Sequence, residues 1–563
     1  MDKKLLLILF VLIKLNGLCQ EDYITFSNQF GIGSELNDAA EYVALTETND
    51  RIVFGYFNEE TDFDPGEIEN SIDPFGEPDL FLASYSPENE LNWVINIGRI
   101  ALIDGMDAGG LALDGDGNIY IAGGFSLTVD FDPSPESASV SSLGGSDAFL
   151  AKFDPEGNFM WVKSIGSPLF ETFTALSVDT QGNVYTGLRF NGEVDANPEG
   201  EEEILTPVGG TDAALIKMDS DGNFEWAQPI QPGGNGEKIT EISTDEEGNI
   251  ALGASIDIIS SGIPEQSMWF GLFQPGGAQI WNIDFQNTGQ FNEISEIAFA
   301  QNGEALYLGG RIRTETDFDP SEEESLVSPT FTDPYLAKYS VDQAELLWVK
   351  YIESSSTEDY CNGIKEADGN VFMVGTFDVN AIFVPGDFNS QVASNGSRDM
   401  FVAVYDAVTG DFIDGDNYGS GGDELIISSA FGDTGELIVV GAFLNSMSFD
   451  PEETIPSNGV QDILLGGFAY PNSLSSNDWE EQEEITIYPV PSPDFVRLQF
   501  PADFQTNSVT ISVMNVVGQK VLKAMNVDPG NQAEIDISAL NKGIYIMEIE
   551  YGSHKISKRL IKQ

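Results

Sequence analysis

The chain has 563 residues and a formal net charge of −69, and 41% of its residues are hydrophobic and 11% aromatic. This apolar content is enough for a buried core and excludes a disordered chain. The charge excludes binding driven by neutralisation of nucleic-acid phosphates or anionic membrane surfaces, because a field of that sign repels both.

Residues 1–19 have the three-part layout of a secretory signal peptide. Lys3 and Lys4 precede an apolar run from Leu5 to Ile13, and small residues occur ahead of Gln20. The alternative is a lipoprotein signal that uses Cys19. No other stretch approaches the roughly 20 apolar residues of a membrane span. We therefore predict a secreted chain with no transmembrane segment after signal removal.

A unit of strands and turns repeats over residues 20–471. Each unit has four runs rich in Ile, Val, Phe, Tyr and Trp, separated by Asp-Gly-Asn turns, and no amphipathic helix pattern competes. Both faces of these strands are apolar, as in a sheet that is covered on both sides. Radially stacked four-stranded sheets, a β-propeller, satisfy this pattern. Aligned on the residue that ends a GGF-like run, the copies fall at Phe57, Phe125, Phe190, Ile256, Ile312, Phe377 and Phe443.

The two ends of the repeat array are complementary. The seventh unit runs through Asp462 to Phe468 and then lacks a fourth, Trp-type strand. Residues 23–31, before the first full unit, have the pattern of such a strand. We therefore predict an all-β fold with a seven-bladed propeller closed by the N-terminal strand, since closure removes two open sheet edges. An open solenoid with ragged ends is the alternative.

The chain changes character after the repeats. Residues 472–484 are polar and acidic without strand periodicity and predict a linker. Residues 485–563 alternate short apolar runs with Pro, Asn and Gly turns, which predicts a small Ig-like β-sandwich.

This C-terminal module carries specific motifs. They are IYPVP at 487–491, VMNVVGQKV at 513–521, ISALNKGIYI at 537–546 and a basic end at 555–562. In these motifs it resembles the type A C-terminal sorting domain of the type IX secretion system of Bacteroidetes. The resemblance implies that residues 485–563 engage the type IX machinery, that the protein crosses the outer membrane, and that it is then released or attached to the cell surface.

The repeats themselves are similar to the bacterial β-propeller repeats (SBBP-like) often found ahead of that module. The similarity rests on recurring Asp-Phe-Asp-Pro and Asp-Ala-Phe-Leu-Ala-Lys segments and covers residues 21–470. It supports the fold and implies no particular activity, because propellers host many unrelated functions.

Histidine and cysteine are too scarce for several kinds of catalytic site. His554 is the one histidine and lies in the C-terminal module, so the propeller cannot supply a Ser-His-Asp or Cys-His arrangement or a histidine-based metal site. Cys361, the one cysteine left after signal removal, predicts buried packing and no intrachain disulfide. Paired carboxylates could serve a glycosidase, but among 93 Asp and Glu residues they form no specific pattern. We predict no catalytic residue.

The Asp-Phe-Asp-Pro segments are candidate calcium sites. In an extended segment both Asp side chains project to one side and Phe to the other, so the Phe can anchor in the blade while the carboxylates face a loop. Hard oxygen ligands suit Ca²⁺. The alternative is an Asp-Pro turn whose Asp caps backbone amides. The same two alternatives apply to the turn at 114–118. The candidates are Asp62, Asp64, Asp130, Asp132, Asp317 and Asp319.

The sequence therefore predicts a monomeric, secreted or cell-surface, non-catalytic propeller that serves as a binding or adhesion platform for a protein or glycan, with Ca²⁺ as an optional ion. One alternative is a carboxylate-based glycan hydrolase or lyase at the propeller mouth. Another is a structural surface-layer protein.

Overall fold

The computed structural model describes residues 24–470 and 486–562, with gaps at 67–69, 77, 99–105, 135, 231–235, 261–262, 286–291, 320, 322–323, 451–452, 489–491, 493–494, 500–508, 516–519, 528–532 and 552–553. The predicted signal peptide (1–19) and linker (472–484) lie outside the described residues. The chain divides into two compact units, Met1–Leu474 and Ser475–Gln563.

The first unit begins with strand β1 (Thr25–Ile32) and continues into blades 1 to 3. Blade 1 has β2 (Ala39–Leu45), β3 (Arg51–Phe57), β4 (Thr61–Asp62), β5 (Ser71–Ile72), β6 (Asp79–Tyr85) and β7 (Leu91–Ile97). Blade 2 has β8 (Met106–Leu113), β9 (Ile119–Phe125), β10 (Thr128–Asp130), β11 (Ser139–Ser141), β12 (Asp147–Phe153) and β13 (Phe159–Ile165). Blade 3 has β14 (Glu171–Val178), β15 (Val184–Phe190), β16 (Val194–Asp195), β17 (Ile204–Leu205), β18 (Asp212–Met218) and β19 (Phe224–Ile230).

Blades 4 to 7 follow the same order. Blade 4 has β20 (Gly236–Thr244), β21 (Ile250–Ser260), β22 (Ile263–Phe273) and β23 (Gln279–Asp284). Blade 5 has β24 (Glu293–Phe299), β25 (Ala305–Ile312), β26 (Thr316–Asp317), β27 (Leu326–Val327), β28 (Asp333–Ser340) and β29 (Leu346–Tyr351). Blade 6 has β30 (Glu353–Ser354), β31 (Tyr360–Ala367), β32 (Asn370–Ile382), a 3₁₀ helix (Phe388–Ser390), β33 (Gln391–Asp406) and β34 (Phe412–Tyr418). Blade 7 has β35 (Asp423–Phe431), β36 (Glu436–Leu444), β37 (Ser446–Asp450), β38 (Glu453–Pro456) and β39 (Asp462–Ala469).

Each blade is an antiparallel sheet with four main strands, here called the first to fourth strand in the order of the sheet. The first strands of successive blades contact each other in sequence, and β35 of blade 7 contacts β2 of blade 1. The first strands therefore surround the propeller axis. The predicted all-β, seven-bladed propeller is confirmed, and the predicted Trp-containing runs are the fourth strands of blades 1 to 5.

The connection between second and third strands differs from the four-strand prediction. In blades 1, 2, 3, 5 and 7 it contains an additional two-stranded hairpin. In blade 6 the hairpin is continuous with the long main strands, where Ile382 pairs with Gln391. Blade 4 lacks it, because β21 and β22 meet directly at Ser260 and Ile263. This direct connection accounts for the short interval between Ile256 and Ile312 in the sequence.

The strand at the start of the chain lies beside the last strand of blade 7. β1 pairs antiparallel with β39, and the sheet order is β1-β39-β36-β35. Phe26 lies opposite Phe468, with ring centroids 5.9 Å apart, and Phe30 lies opposite Leu465. The fourth strand of blade 7 therefore comes from residues 25–32.

The core lies between the blades. Third strands such as β12 are buried at every residue, whereas fourth strands are mostly half-buried. Each hydrophobic cluster in this unit takes side chains from neighbouring blades, as Phe30, Phe57 and Val440 do in one cluster. Burying one such Phe contributes on the order of 2 kcal/mol.

The second unit contains two antiparallel sheets. Its strands are β40 (Thr486–Tyr488), β41 (Phe495–Gln499), β42 (Val509–Asn515), β43 (Lys520–Val527), β44 (Ala533–Asp536), β45 (Gly543–Tyr551) and β46 (His554–Lys562). The sheet orders are β40-β41-β44 and β43-β42-β45-β46. One hydrophobic cluster takes Val496 and Ile535 from the first sheet and Ile511 and Met547 from the second.

Candidate functional site

Every first strand carries a β-bulge at the same position, and the bulge explains the glycines of the GGF-like runs. Each first strand has one extra residue there relative to the second strand. The bulged backbone comes so close to the second strand that a Cβ on Gly375 would lie 1.9 Å from the Tyr360 carbonyl oxygen. A Cβ on Gly441 would lie 2.0 Å from that of Leu425. Glycine is therefore required at these positions.

The bulged residues join one blade to the next through hydrogen bonds. The Thr174 hydroxyl donates to the carbonyl oxygen of Ile239 at 2.6 Å, and the Ser295 hydroxyl donates to that of Cys361 at 2.6 Å. In blade 6 the Asn362 side-chain amide donates to the Ile427 carbonyl at 3.3 Å. These bonds fix the inner strands against each other, and so they fix the side chains that face the axis.

A cavity of about 450 Å³ lies among the first strands of blades 1 to 4. Its lining combines aromatic rings with a few polar and charged groups. The lining residues are Glu41, Tyr42, Tyr56, Pro78, Leu80, Ala108, Phe170, Thr172, Phe173, Thr174, Arg189 and Lys238. This space is here called the axial cavity. Its volume and mixed lining are those of a small-ligand pocket.

Two cationic side chains line the axial cavity, Arg189 and Lys238, and neither forms an ion pair within the described residues. Ion pairs hold six of the cationic side chains, and these are Lys152–Asp114, Lys163–Glu199, Lys217–Glu225, Arg311–Glu293, Lys365–Asp433 and Arg398–Asp423. Within the described residues, Arg189 and Lys238 have no carboxylate partner. The Arg189 Nη2 atom lies 3.5 Å from the Thr211 hydroxyl, and its buried Nε has no hydrogen-bond acceptor there. Lys238 is exposed.

Two glutamates occupy equivalent positions on adjacent first strands. Glu241 and Glu296 each follow the bulged residue of blades 4 and 5, and both are half-buried. Burial raises the pKa of Glu296 to about 8, and burial together with repulsion from Glu296 raises the pKa of Glu241 well above its ordinary value. Burial and the neighbouring carboxylates Glu41 and Glu241 also raise the pKa of Tyr42 on blade 1. The Tyr42 hydroxyl and Glu241 therefore interact although their blades are not adjacent.

A second recurrent feature is a pair of acidic side chains at the junction between blades. The first residue of a third strand and an acid at the start of the next blade's first strand repel each other electrostatically. The pairs are Asp147 with Glu171, Asp333 with Asp359, Asp399 with Glu424 and Asp462 with Asp38. All these side chains are buried. At the junction of blades 4 and 5 the equivalent residues are the neutral Ser267 and Asn292, which are also buried. We call the acidic pairs the junction carboxyl pairs.

The calcium candidates lie in the hairpins between second and third strands. In each motif the first Asp accepts two backbone amides. Asp130 Oδ1 accepts from Asp132 N at 3.3 Å and Ala138 N at 2.8 Å. Asp62 and Asp317 do the same, and Asp64, Asp132 and Asp319 each accept one amide two residues on.

The Phe of each motif is fully buried, as predicted for Phe63, Phe131 and Phe318. The amide bonds of the Asp residues are those of the turn alternative. Among the described residues, no group of three or more His, Cys, Asp or Glu is placed to hold a metal ion. Calcium binding at these loops stays a prediction.

The turn at 114–118 is a hydrogen-bonded hairpin. The Asp114 carboxylate accepts from the backbone amide and side chain of Asn118, from the Tyr120 hydroxyl at 3.1 Å, and from Lys152 Nζ at 3.2 Å. Burial opposes ionisation, but the Asn118 and Lys152 bonds outweigh it and hold the Asp114 pKa below its usual value. The carboxylate oxygens are therefore already occupied by protein donors.

Sequence reasoning identified neither the axial residues nor the junction carboxyl pairs. Cys361 is buried, as predicted, and burial raises the pKa of its thiol. Glu241 and Glu296 lie in unremarkable apolar-polar alternations, and Arg189 and Lys238 belong to different repeats. The sequence contained one signal for the junction carboxyl pairs, the recurring Asp at the start of the Asp-Ala-Phe-Leu-Ala-Lys-like segments, which supplies one member of each pair.

Comparisons with known proteins concern two parts of the chain. Residues 486–563 match the family described as secretion system C-terminal sorting domain. This match indicates export through the type IX system to the cell surface or extracellular space. In the part of the chain that the structure describes, no helix has the length and hydrophobicity of a membrane crossing.

Two curated proteins are similar over part of the chain. A WD repeat-containing protein of Acanthamoeba polyphaga mimivirus is 23% identical over 190 residues, or 30% of this chain and 13% of that protein. Regulatory protein FlaEY of Caulobacter vibrioides is 26% identical over 148 residues, or 26% of this chain and 15% of that protein. The chain thus matches only a small share of the length of these relatives.

The solved structures that match this chain include several enzymes. A luciferin-regenerating enzyme has a TM-score of 0.32 at 9% identity and covers 67% of this chain and 97% of its own. A gluconolactonase of Xanthomonas campestris has a TM-score of 0.30 at 9% identity and covers 79% and 98%. An apocarotenoid oxygenase of Synechocystis has a TM-score of 0.32 at 10% identity and covers 70% and 94%. Similarity at this level carries no argument about function.

Proposed function

We propose that this protein is a secreted or cell-surface, non-catalytic propeller that binds a protein or glycan ligand in its axial cavity. The cavity carries the proposal, because its space of about 450 Å³ is lined by tyrosine rings, backbone-anchored polar groups and two cations. Aromatic faces with a few fixed polar groups are typical of sites that bind sugars or extended peptides. The C-terminal sorting domain supports delivery to the outside of the cell, where such ligands occur.

The test is a binding screen of the full secreted chain against glycans and extracellular proteins, followed by calorimetry on each hit. Tyr56 lines the cavity, so Tyr56→Ala should weaken binding at least about tenfold. Val408→Ala is the control, because Val408 is 81% exposed in a turn of blade 6. Equal binding by both variants, with unchanged melting temperatures, would show that the ligand binds elsewhere and would refute the proposal.

A second candidate function, glycan hydrolysis or lysis, is favoured by one observation. Burial raises the pKa of Glu296, and a carboxyl group that keeps its proton into a higher pH range can act as a general acid. Glu241 at the equivalent position would be its partner group. If the protein is such an enzyme, Glu296→Gln should abolish turnover of a bound polysaccharide without weakening its binding. Absence of turnover from the unsubstituted chain on every bound glycan would eliminate this candidate.

We further propose that the N-terminal strand closes the propeller ring, supported by the pairing of β1 with β39. A chain that lacks residues 24–32 should expose the edge of β39 and aggregate, since an unpaired hydrophobic edge templates further strands. Light scattering measures the aggregation of the truncated chain and of the full chain. A truncated chain that stays monomeric and equally stable would argue for an open array.

We propose the domain organisation that the sequence predicts, with a signal peptide at 1–19, a monomeric propeller at 20–471, a linker at 472–484 and an Ig-like sorting domain at 485–563. The division into units at residue 474 supports this organisation. N-terminal sequencing and mass spectrometry of the secreted protein test both predicted cleavage regions. A secreted chain that retains residues 1–19 would contradict the predicted signal peptide.

We also propose calcium as an optional ligand of the loops that contain Asp62, Asp130 and Asp317. The second carboxyl oxygen of the first Asp and the carboxylate of the second Asp in each motif would be the ligands of the ion. An ion bound only by the folded chain must raise its melting temperature. A melting temperature that is the same in excess calcium and in excess chelator would refute this proposal.

A further inference from the structure

We propose that the axial cavity selects glycans that carry an anionic group, a carboxylate or sulfate on a sugar ring. This inference rests on the proposed function and names its ligand class. It starts from the two cations in the cavity, Arg189 and Lys238. They come from the second strand of blade 3 and the first strand of blade 4, which places both side chains on one side of the cavity.

Arg189 and Lys238 belong to the described propeller cations that have no ion pair, and they differ from Arg51 and Lys338, which donate to backbone carbonyl oxygens instead. Acidic side chains outnumber basic ones 93 to 24 in the whole chain, so a basic side chain has many potential partners. Six propeller cations have such a partner within 4 Å in the described residues. Arg189 and Lys238 have none there, although Glu41 lines the same cavity. The fold thus keeps two cationic groups available at one concave site.

The environment of Arg189 indicates that its missing partner is a ligand oxygen. Its Nε is buried and has no acceptor among the described residues, and its Nη2 is held 3.5 Å from Thr211 Oγ1. A donor without an acceptor is unfavourable, and a negative charge close to the guanidinium group reduces that cost. A carboxylate or sulfate offers two oxygens to the part of the guanidinium group that lines the cavity. Lys238 then supplies a second, mobile positive charge.

The rest of the cavity lining suits a sugar ring that carries this anion. Tyr42 and Tyr56 provide flat apolar faces, and Thr172 provides a hydroxyl group. The Tyr42 ring is fixed from behind, because it stacks on Phe54 with centroids 6.3 Å apart. A free inorganic anion would use only the cations, whereas an acidic glycan would use both the cations and the rings. We therefore favour the glycan.

The experiment compares size-matched oligosaccharides that are neutral, uronate-containing or sulfated, with calorimetry on the full secreted chain. The acidic glycans should bind at least about tenfold more tightly than the neutral ones. Arg189→Gln and Lys238→Gln should each remove most of that preference, whereas Lys238→Arg should keep it. Lys365→Gln is the matched control, because Lys365 of blade 6 pairs with the exposed Asp433 of blade 7, away from the axial cavity.

The outcomes separate this inference from the proposed function. Equal binding of neutral and acidic glycans, abolished by Tyr56→Ala, would overturn the anion selectivity and keep the cavity as a binding site. Preferential binding of acidic glycans that persists in both Arg189→Gln and Lys238→Gln would also overturn the anion selectivity proposed for these residues. Competition by inorganic sulfate alone, as strong as by the sulfated glycan, would overturn the glycan assignment. Because Lys238 is exposed, Lys238→Gln should fold normally, and a loss of binding in this variant reports on the ligand contact and not on misfolding.

Discussion

Asp399 and Glu424 share one blade junction, and each keeps a buried carboxyl oxygen without a hydrogen-bond partner in the described residues. Burial raises the pKa of Asp399 to about 6 and the pKa of Glu424 to about 7, the latter also through repulsion by Asp399. Asp333 and Asp359 form a similar pair with pKa values of about 6 and about 7. The folded chain thus holds protons that the unfolded chain has released above about pH 4.

The sign of the resulting pH dependence follows from proton counting. Between the unfolded pKa of about 4 and the folded values of 6 to 7, the folded state binds more protons than the unfolded state. The free energy of unfolding therefore decreases as pH rises through this range and levels off above it. We expect the propeller to melt at a higher temperature near pH 5 than near pH 8.

Glu424→Gln isolates one junction carboxyl pair. The amide has no charge to bury and can donate to Asp399, while its oxygen can keep the bonds from Ser420 N and Oγ. We expect it to raise the free energy of unfolding near pH 8 by on the order of 2 kcal/mol and to change it little near pH 5. Denaturant unfolding at both pH values measures this. Glu345→Gln is the control, because Glu345 is exposed. Equal destabilisation by Glu424→Gln at pH 5 and pH 8 would contradict the expectation.

The two Asp residues of one loop motif should differ in their contribution to stability. Asp130 accepts two backbone amides, at 3.3 and 2.8 Å, whereas Asp132 accepts one at 2.9 Å. Asp130→Ala should therefore lower the free energy of unfolding by about 1–3 kcal/mol in chelator, and Asp132→Ala by less. If calcium binds, both substitutions should in addition abolish the calcium-induced rise in melting temperature. Equal effects of the two in chelator would count against the amide-capping role of Asp130.

At the scale of elements, the side chain of Phe30 in the N-terminal strand contacts both blade 7 and blade 1. Phe30 lies opposite Leu465 of blade 7, and its ring centroid is 5.0 Å from that of Tyr85 in blade 1. Phe30→Ala should lower the free energy of unfolding by about 3–5 kcal/mol, because it opens a cavity between two blades. Phe388→Ala is the control, since Phe388 is 74% exposed. Similar melting temperatures for the two variants would mean that the contact between blades 1 and 7 contributes little.

Strands were predictable from the sequence, but the hairpins between them were not. Alternating and fully apolar runs such as residues 147–153 predict buried strands because burial depends on local pattern. The short strands Thr128–Asp130 and Ser139–Ser141 have no such pattern. Their pairing depends instead on the Asp130 side chain, which bonds to the amide of Ala138 eight residues on. A hydrogen bond between residues eight positions apart produces no alternation of apolar and polar residues from which a strand could be predicted.

At the scale of the whole molecule, repetition made the fold predictable and concealed the site. Seven copies of one unit define the blade count, but the axial cavity takes Tyr42, Arg189 and Lys238 from three different copies. Tyr42 follows the bulged residue of its strand, Lys238 precedes the bulged residue of its strand by two positions, and Arg189 lies on a second strand. That these residues line one cavity is visible only when the strands are paired. The residues that all seven repeat units share therefore predict the propeller scaffold. The candidate site is formed by residues that differ from one unit to the next.

The net charge gives the last prediction. Because the excess of acidic residues behind the formal charge of −69 lies ahead of residue 485, an anionic glycan is repelled by the propeller at long range although Arg189 and Lys238 attract it at contact. Salt screens the long-range repulsion first, since the screening length falls from about 30 Å at 0.01 M to about 8 Å at 0.15 M. The association rate of an acidic glycan should therefore rise with salt over this range, opposite to ordinary steering by a complementary charge. Stopped-flow measurements with an acidic and a neutral glycan test this. A rate that falls with salt for the acidic glycan would mean that a local cationic field dominates the approach, and a neutral glycan should show no salt dependence in either case.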